Sequence, residues 1–159
     1  MLSSDEIFMR EALAQARLAF ECDEVPVGAV ITWRDQIIAK AYNQVELLKD
    51  PTAHAEMIAI TQASNARQHK WLADCCLYVT IEPCSMCAGA IVLSRLGRIC
   101  YGAVDPKTGA CGSIVNLVQH PKLNHRVEIT SGIYAAPCGA LLTDFFKDKR
   151  RCETKKILD

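Results

Sequence analysis

Two short fragments hold the residues best suited to chemistry. Thr52-Ala53-His54-Ala55-Glu56 offers an imidazole and a carboxylate two positions apart, and Glu82-Pro83-Cys84-Ser85-Met86-Cys87 offers two thiols three positions apart. Each fragment follows a strand or loop and opens a helix. One helical turn separates Cys84 from Cys87, so their sulfurs share a face, and the positive end of the helix dipole favours the thiolate that a metal requires. With His54 as a third ligand from another helix, the set is one imidazole and two thiolates, which suits zinc. Three protein ligands leave a coordination position open to water, the mark of a catalytic site. The expectation is one Zn2+ per chain on His54, Cys84 and Cys87. Glu56 stands too near His54 to share the ion comfortably, and its carboxylate belongs instead beside the bound water as general base. Two thiolates cancel the ion's charge and a neutral imidazole adds none, so the water is acidified less than at a tris-histidine site. Glu56 is then needed to take the water proton and to hand it on as the reaction proceeds.

Separately, these fragments say little. A Cys-x-x-Cys pair is frequently structural zinc, redox chemistry or plain core, and His-x-Glu arises by chance in many helices. Together, with Pro83 directly before the first cysteine and 26 residues between Glu56 and Pro83, they match the signature of zinc deaminases. A structural zinc knuckle would want a fourth ligand, and His69, His120 and His125 lack the spacing; they read as surface residues. The other seven cysteines (Cys22, Cys75, Cys76, Cys100, Cys111, Cys138, Cys152) have no metal-like spacing and read as small buried hydrophobes.

The elements that position these fragments follow from periodicity and punctuation. Ser3 and Glu6 have capping-box spacing, and Met9, Leu13, Ala16 and Phe20 follow at helical steps, giving an amphipathic first helix. Gly28–Trp33, a polar Arg34-Asp35-Gln36 turn and Ile37–Tyr42 read as a β-hairpin. A helix is expected over 53–66, a strand over Leu77–Ile81, a helix from Cys84 to about Ser94 and a strand over Ile99–Val104. A Gly-rich loop over Asp105–Ser113, a strand over Val127–Thr130 and a final helix at about 136–156 complete the chain. Strands and helices alternate after the hairpin, which favours an α/β sandwich with a mixed sheet and helices on both faces.

Composition is consistent with one domain over 1–159 and a substantial buried core. Eighteen basic and eighteen acidic residues give zero formal charge, so any attraction for a polyanion must be local. No apolar run approaches the ~20 residues needed to cross a bilayer and no signal segment opens the chain, so a cytoplasmic protein with no membrane partner is expected. Nine cysteines, an odd number without export signals, fit reduced thiols or metal ligands better than disulfides.

Several further stretches carry a resemblance that spans nearly the whole chain: Val25–Val30, Leu77–Ala90, Asp105–Ala110, Asn124–Val127, and Leu141-Leu142 with Phe145-Phe146. With the metal fragments, they resemble the bacterial tRNA-specific adenosine deaminases, within the cytidine-deaminase superfamily. The Asp105–Ala110 loop and the Asn124–Phe146 tail separate this resemblance from guanine or cytosine deaminases, which share the metal motifs. It implies a three-layer α/β/α cytidine-deaminase-like fold around a five-stranded mixed sheet. It also implies a homodimer acting on the anticodon stem-loop of an arginine tRNA, with deamination of the wobble adenosine to inosine. In substrate binding it implies Asn43 bonding the flipped adenine, Asp105 beside the ribose, and the backbone of Ala55 completing the pocket. A loop nucleotide is also the form from which a base is most cheaply extruded. Lys147, Lys149, Arg150, Arg151, Lys155 and Lys156 form the only concentrated basic segment; it is either a solvated helix face or, in this context, an RNA backbone contact through Lys149, Arg150 and Arg151. Two other readings use the same residues: a deaminase of a free base or nucleoside, or a non-catalytic zinc-stabilised RNA-binding module.

Overall fold

The computed structural model describes residues 1–158. The elements are α1 (Ser4–Glu21), β1 (Gly28–Trp33), β2 (Gln36–Tyr42), α2 (Val45–Leu48), α3 (Ala55–Arg67), β3 (Cys75–Ile81), α4 (Ser85–Leu93), β4 (Arg98–Ala103), β5 (Glu128–Ser131) and α5 (Ala135–Leu158). The five strands form one sheet in the order β2-β1-β3-β4-β5. β1 runs antiparallel to both β2 and β3, whereas β3, β4 and β5 are mutually parallel. The expected mixed sheet is therefore present.

Side-chain alternation along the strands divides the core in two. Ala29, Ile31, Leu77, Val79, Ile99 and Tyr101 face one side and pack with Ala55, Ala59 and Ala63 of α3 and Ala88 and Ile91 of α4. The intervening Val30, Tyr78 and Cys100 face the other, against Phe8, Met9, Ala12 and Leu13 of α1 and Cys138 of α5. Helices thus cover both faces. The alanines along α3 bring its backbone close to the sheet, which keeps its N-terminus at the edge where β3 ends.

α1 begins with the expected capping box, Ser3 and Glu6 each bonding the other's backbone N–H. The β1–β2 hairpin turns on Arg34 and Asp35, both in the left-handed region (φ 50° and 58°). These are the angles of a tight turn matched to strand twist, reached here without glycine. Three features differ from the sequence reading. The short α2 does not show in the pattern, because four residues give no periodicity to detect. Cys22 and Cys152 are exposed, Cys22 as the C-cap of α1 and Cys152 on the outer turns of α5, whereas Cys75, Cys100, Cys111 and Cys138 are buried. His125 is half-buried, its Nε2 2.6 Å from the carbonyl oxygen of Leu96, so it ties a loop to the α4–β4 turn. Among the described residues no helix is long and apolar enough to cross a membrane.

α1 crosses β1 at Gly28, where a Cβ would lie 2.0 Å from the Ala12 oxygen and 2.4 Å from the Ala16 nitrogen. Both obstacles are helix backbone and cannot rotate away. Gly28→Ala is expected to lift α1 off the sheet and to destabilise the fold by about 3 kcal/mol, at the upper end for overpacking. Urea unfolding of the two proteins checks this, a shift in midpoint with constant slope being the expected outcome.

Candidate active site

The two chemical fragments meet because two helices begin at the same end of the sheet. His54 is the N-cap of α3 and Cys84 the N-cap of α4, both with extended backbone and neither side chain used as a cap. Local bonds fix each approach. Thr52 donates from N and Oγ to Asp50 Oδ1 (2.8 and 2.7 Å), closing the turn that delivers His54. Glu82 N donates to Ala103 O (2.9 Å) and Ala110 N to Pro83 O (2.9 Å), holding the segment that delivers Cys84. Cys87 follows one turn into α4 and is buried.

His54 Nδ1 lies 3.6 Å from Cys84 Sγ and 3.5 Å from Cys87 Sγ, and the three ligand atoms all lie within 4.8 Å of one another. Sulfur at ~2.3 Å and nitrogen at ~2.05 Å from a shared tetrahedral centre stand ~3.6 Å apart, so these residues fit zinc in spacing and in donor chemistry. Hydrogen bonds from Cys87 and His54 hold the Cys84 thiol down at about 4. The same pairing, with burial, pushes Cys87 up, and the hydrogen bond with Cys84 raises His54.

Glu56, in the first turn of α3, is buried beside this cluster. Burial pushes its carboxyl above the usual carboxylate range, against the opposing pull of backbone hydrogen bonding and of His54. Such a group accepts a proton more readily than an exposed glutamate and can return it, which is what a shuttle needs.

His54 and Cys84 of this cluster open onto a cleft of about 800 Å³ whose lining also includes Asn43, Ala55, Glu56 and Asp105, with Cys87 buried behind them. Asn43 is buried; its Nδ2 donates to Val25 O (3.3 Å), while its Oδ1 has no partner. A buried unpaired acceptor costs free energy unless a ligand supplies the donor. Ala55 begins α3, so its N–H has no acceptor inside the helix. Asp105 is half-buried on the opposite wall, where its carboxylate accepts from Lys107 N, Thr108 N and Thr108 Oγ (3.0, 3.2 and 2.6 Å). The fold thus assembles every residue singled out for substrate or metal.

The basic segment is more finely divided than the sequence suggests. Lys149 Nζ is 2.7 Å from Asp23 Oδ2 and 5.5 Å from the centre of the Phe145 ring, so it acts first as a strut between α5 and the end of α1. Lys147, Arg150, Arg151 and Lys155 fall at i, i+3, i+4 and i+8, one stripe of α5, and together line a shallow groove on its surface. A second groove of about 710 Å³ connects this helix to the cleft by way of Phe146, Glu46 and Glu24, and also includes Lys49, Lys149 and Arg150.

Two site-forming residues escape the sequence reading. Glu24 is buried and accepts from Glu46 N and Leu47 N (3.0 and 2.6 Å), which fixes α2 against one wall. Glu82 is buried and binds the Asp105–Ser113 loop on the other. A glutamate whose partners are backbone N–H groups 22 to 31 residues away leaves no local spacing to detect; the one available hint is Glu82's place next to Pro83-Cys84.

A family model described as MafB19-like deaminase matches residues 3–150. The tRNA-specific adenosine deaminase of Bacillus subtilis (strain 168) is 44% identical over 150 residues, covering 94% of this chain and 93% of the relative. That of Aquifex aeolicus (strain VF5) is 48% identical, covering 91% and 95%. A structure solved in a study of A-to-I editing by tRNA:A34 deaminases at the wobble position of transfer RNA superposes with a TM-score of 0.83. It is 43% identical to this chain and covers 86% of it and 99% of its own length.

Removing one sulfur leaves two protein ligands. Cys84→Ala and Cys87→Ala are each expected to purify with less than about a tenth of the zinc held by the unaltered protein. Elemental analysis decides this, and full occupancy in both would exclude the assignment.

Proposed function

The chain belongs to the tRNA-specific adenosine deaminase family of hydrolytic deaminases, and from that premise we propose that it converts the wobble adenosine of a tRNA anticodon loop to inosine. The observation that carries the reading is the buried Glu56 carboxyl set beside a three-ligand cluster that opens onto a cleft, with the unpaired Asn43 Oδ1 above it. By its resemblance the substrate is an arginine tRNA, and the enzyme works as a homodimer in the cytoplasm.

In this reading His54, Cys84 and Cys87 hold Zn2+. When bound there, zinc supplies a Lewis acid that lowers the pKa of a water at the open fourth position. Glu56 accepts a proton from the attacking water and delivers it to N1 of the adenine ring as the new C6–O bond forms. It then takes the proton of the new C6 hydroxyl and passes it to the exocyclic amine, so that the carbonyl forms as the amine leaves. The C6–N bond breaks, ammonia leaves and Glu56 returns to its starting state. Asn43 reads the extruded base through its free carbonyl, the Ala55 N–H supplies a further donor, and Asp105 faces the ribose. The groove past Phe146 accommodates neighbouring loop nucleotides, with an aromatic ring for stacking and Arg150 for phosphate. Arg150 and Arg151 serve as backbone contacts; Lys149 contributes less because Asp23 already neutralises it.

A free base has no use for this extended groove, which favours the RNA substrate over a guanine or cytosine. The test is inosine formation in an arginine-tRNA anticodon stem-loop measured beside ammonia release from guanine, cytosine and adenosine. Turnover of the stem-loop alone is expected, and comparable turnover of free guanine would overturn the reading. Glu56→Ala should keep its zinc and lose about 10³-fold or more in single-turnover rate, because one carboxylate serves several proton transfers.

Each phosphate contact on single-stranded RNA contributes about 0.7 to the slope of log affinity against log salt. Replacing Arg150 and Arg151 by Ala should therefore flatten that slope by about 1.4, and adding Lys149→Ala should change it little. A salt titration of stem-loop binding provides the measurement. An unchanged slope would return the segment to a solvated helix face.

A further inference from the structure

Glu82 has an unusual set of partners for a surface-loop neighbour. It follows the last residue of β3 and is 2% exposed. Its Oε1 accepts from Asp105 N (3.2 Å) and from the hydroxyl of Ser113, and its Oε2 accepts from Cys111 N (3.1 Å) and Ser113 N (3.0 Å). One carboxylate therefore closes both ends of the loop from Asp105 to Ser113. Between those ends the loop also pairs with the metal-ligand segment, through Gly109 opposite Cys84 and through Ala110 N to Pro83 O (2.9 Å).

Gly109 shows how closely this contact is built. A Cβ there would sit 2.3 Å from Glu82 Oε2 and 2.5 Å from the carbonyl oxygen of Asp105. Any other side chain would push the carboxylate out of the loop or the loop out of the cleft. Hydrogen bonds from Ser113, Asp105 and Cys111 surround the buried carboxyl. Four donors satisfy both oxygens, so the group has no acceptor capacity to spare for substrate.

We propose that Glu82 is a positioning residue for the deamination reaction: by gathering the backbone of the Asp105–Ser113 loop around a buried carboxylate, it sets where Asp105 stands in the cleft relative to the floor formed by Cys84 and Glu56. The proposal rests on the cleft being the substrate site described above. Glu82 lines the cleft, but the partners of its carboxylate are Asp105, Cys111 and Ser113, so its effect reaches the substrate through the loop that carries Asp105.

Glu82→Gln tests this, since an amide N–H2 faces N–H donors where an oxygen was needed. Zinc content is measured first and is expected to be unchanged. The single-turnover rate on the anticodon stem-loop should fall about 10²-fold, the order of effect for a displacement of ~1 Å at a catalytic site. In an Asp105→Ala background the same substitution should cost less than about threefold, because the two changes disturb one contact. Gly109→Ala, which attacks the contact from the loop side, should reproduce the defect. Hydrogen exchange at the Cys111 and Ser113 amides should quicken at least tenfold in both variants while the Ala88 amide in α4 keeps its protection. Loss of zinc in Glu82→Gln, additive effects with Asp105→Ala, or unchanged exchange would each overturn the proposal. If the stem-loop proves not to be the substrate, unchanged exchange would still overturn the proposal. Should Glu82→Gln fail to fold, Ser113→Ala removes a single donor and is expected to give the same changes at smaller size.

Discussion

Everything in this molecule depends on two helix N-termini arriving at one point. Nδ1 of His54 and the sulfurs of Cys84 and Cys87 stand 3.5 and 3.6 Å apart although some 30 residues lie between the fragments. That spacing tolerates little error, and the sheet supplies the accuracy. β3 delivers α4 directly, and the register of β1 against β3, with Ala29 opposite Val79, fixes the hairpin beneath which α3 packs. Helix dipoles then contribute twice at the same place. Two positive ends favour thiolate at the cysteines. His54 and Cys84 both stand at an N-cap without spending their side chains on it, which leaves the imidazole and the thiol available to the site.

Burial of charge is the second organising theme. Three glutamates, Glu24, Glu56 and Glu82, are almost completely inaccessible, an expensive arrangement unless each has a reason. Glu82 is met by four donors, and Glu24 is met by the first amides of α2. Glu56 is left less fully compensated, and its proton affinity rises accordingly. The contrast separates the carboxylates that hold the walls from the one suited to moving protons.

Much of this is legible in the sequence. The hairpin, the strand leading into Pro83-Cys84 and the helices opened by both motifs follow from alternation, β-branched runs and N-terminal punctuation. The pairing of Cys84 with Cys87 follows from spacing, because a helical turn converts three residues into a shared face. The rest depends on contacts that sequence distance hides. Glu82 reaches Ser113 and Lys149 reaches Asp23, separations of 31 and 126 residues, and no local pattern reports either. The seven other cysteines look alike in sequence, yet Cys100 lies inside the sheet and Cys22 ends a helix in solvent. The basic run of α5 likewise reads as one feature until the helix divides it into a strut and a stripe.

The walls of the cleft are attached by backbone groups. Glu24 holds α2 by two main-chain amides, and Glu82 holds the opposite loop by three more and one serine hydroxyl. Main-chain donors are present whatever side chain is carried, proline aside. Positions such as Glu46 and Leu47 can therefore change identity while the walls keep their course, whereas Ser113, which donates through its hydroxyl, and Gly109, wedged against a carboxylate, cannot. Such an architecture separates heritable variation in what the pocket recognises from the machinery that performs the reaction, so new specificities can arise on this scaffold by small steps that each preserve a working enzyme.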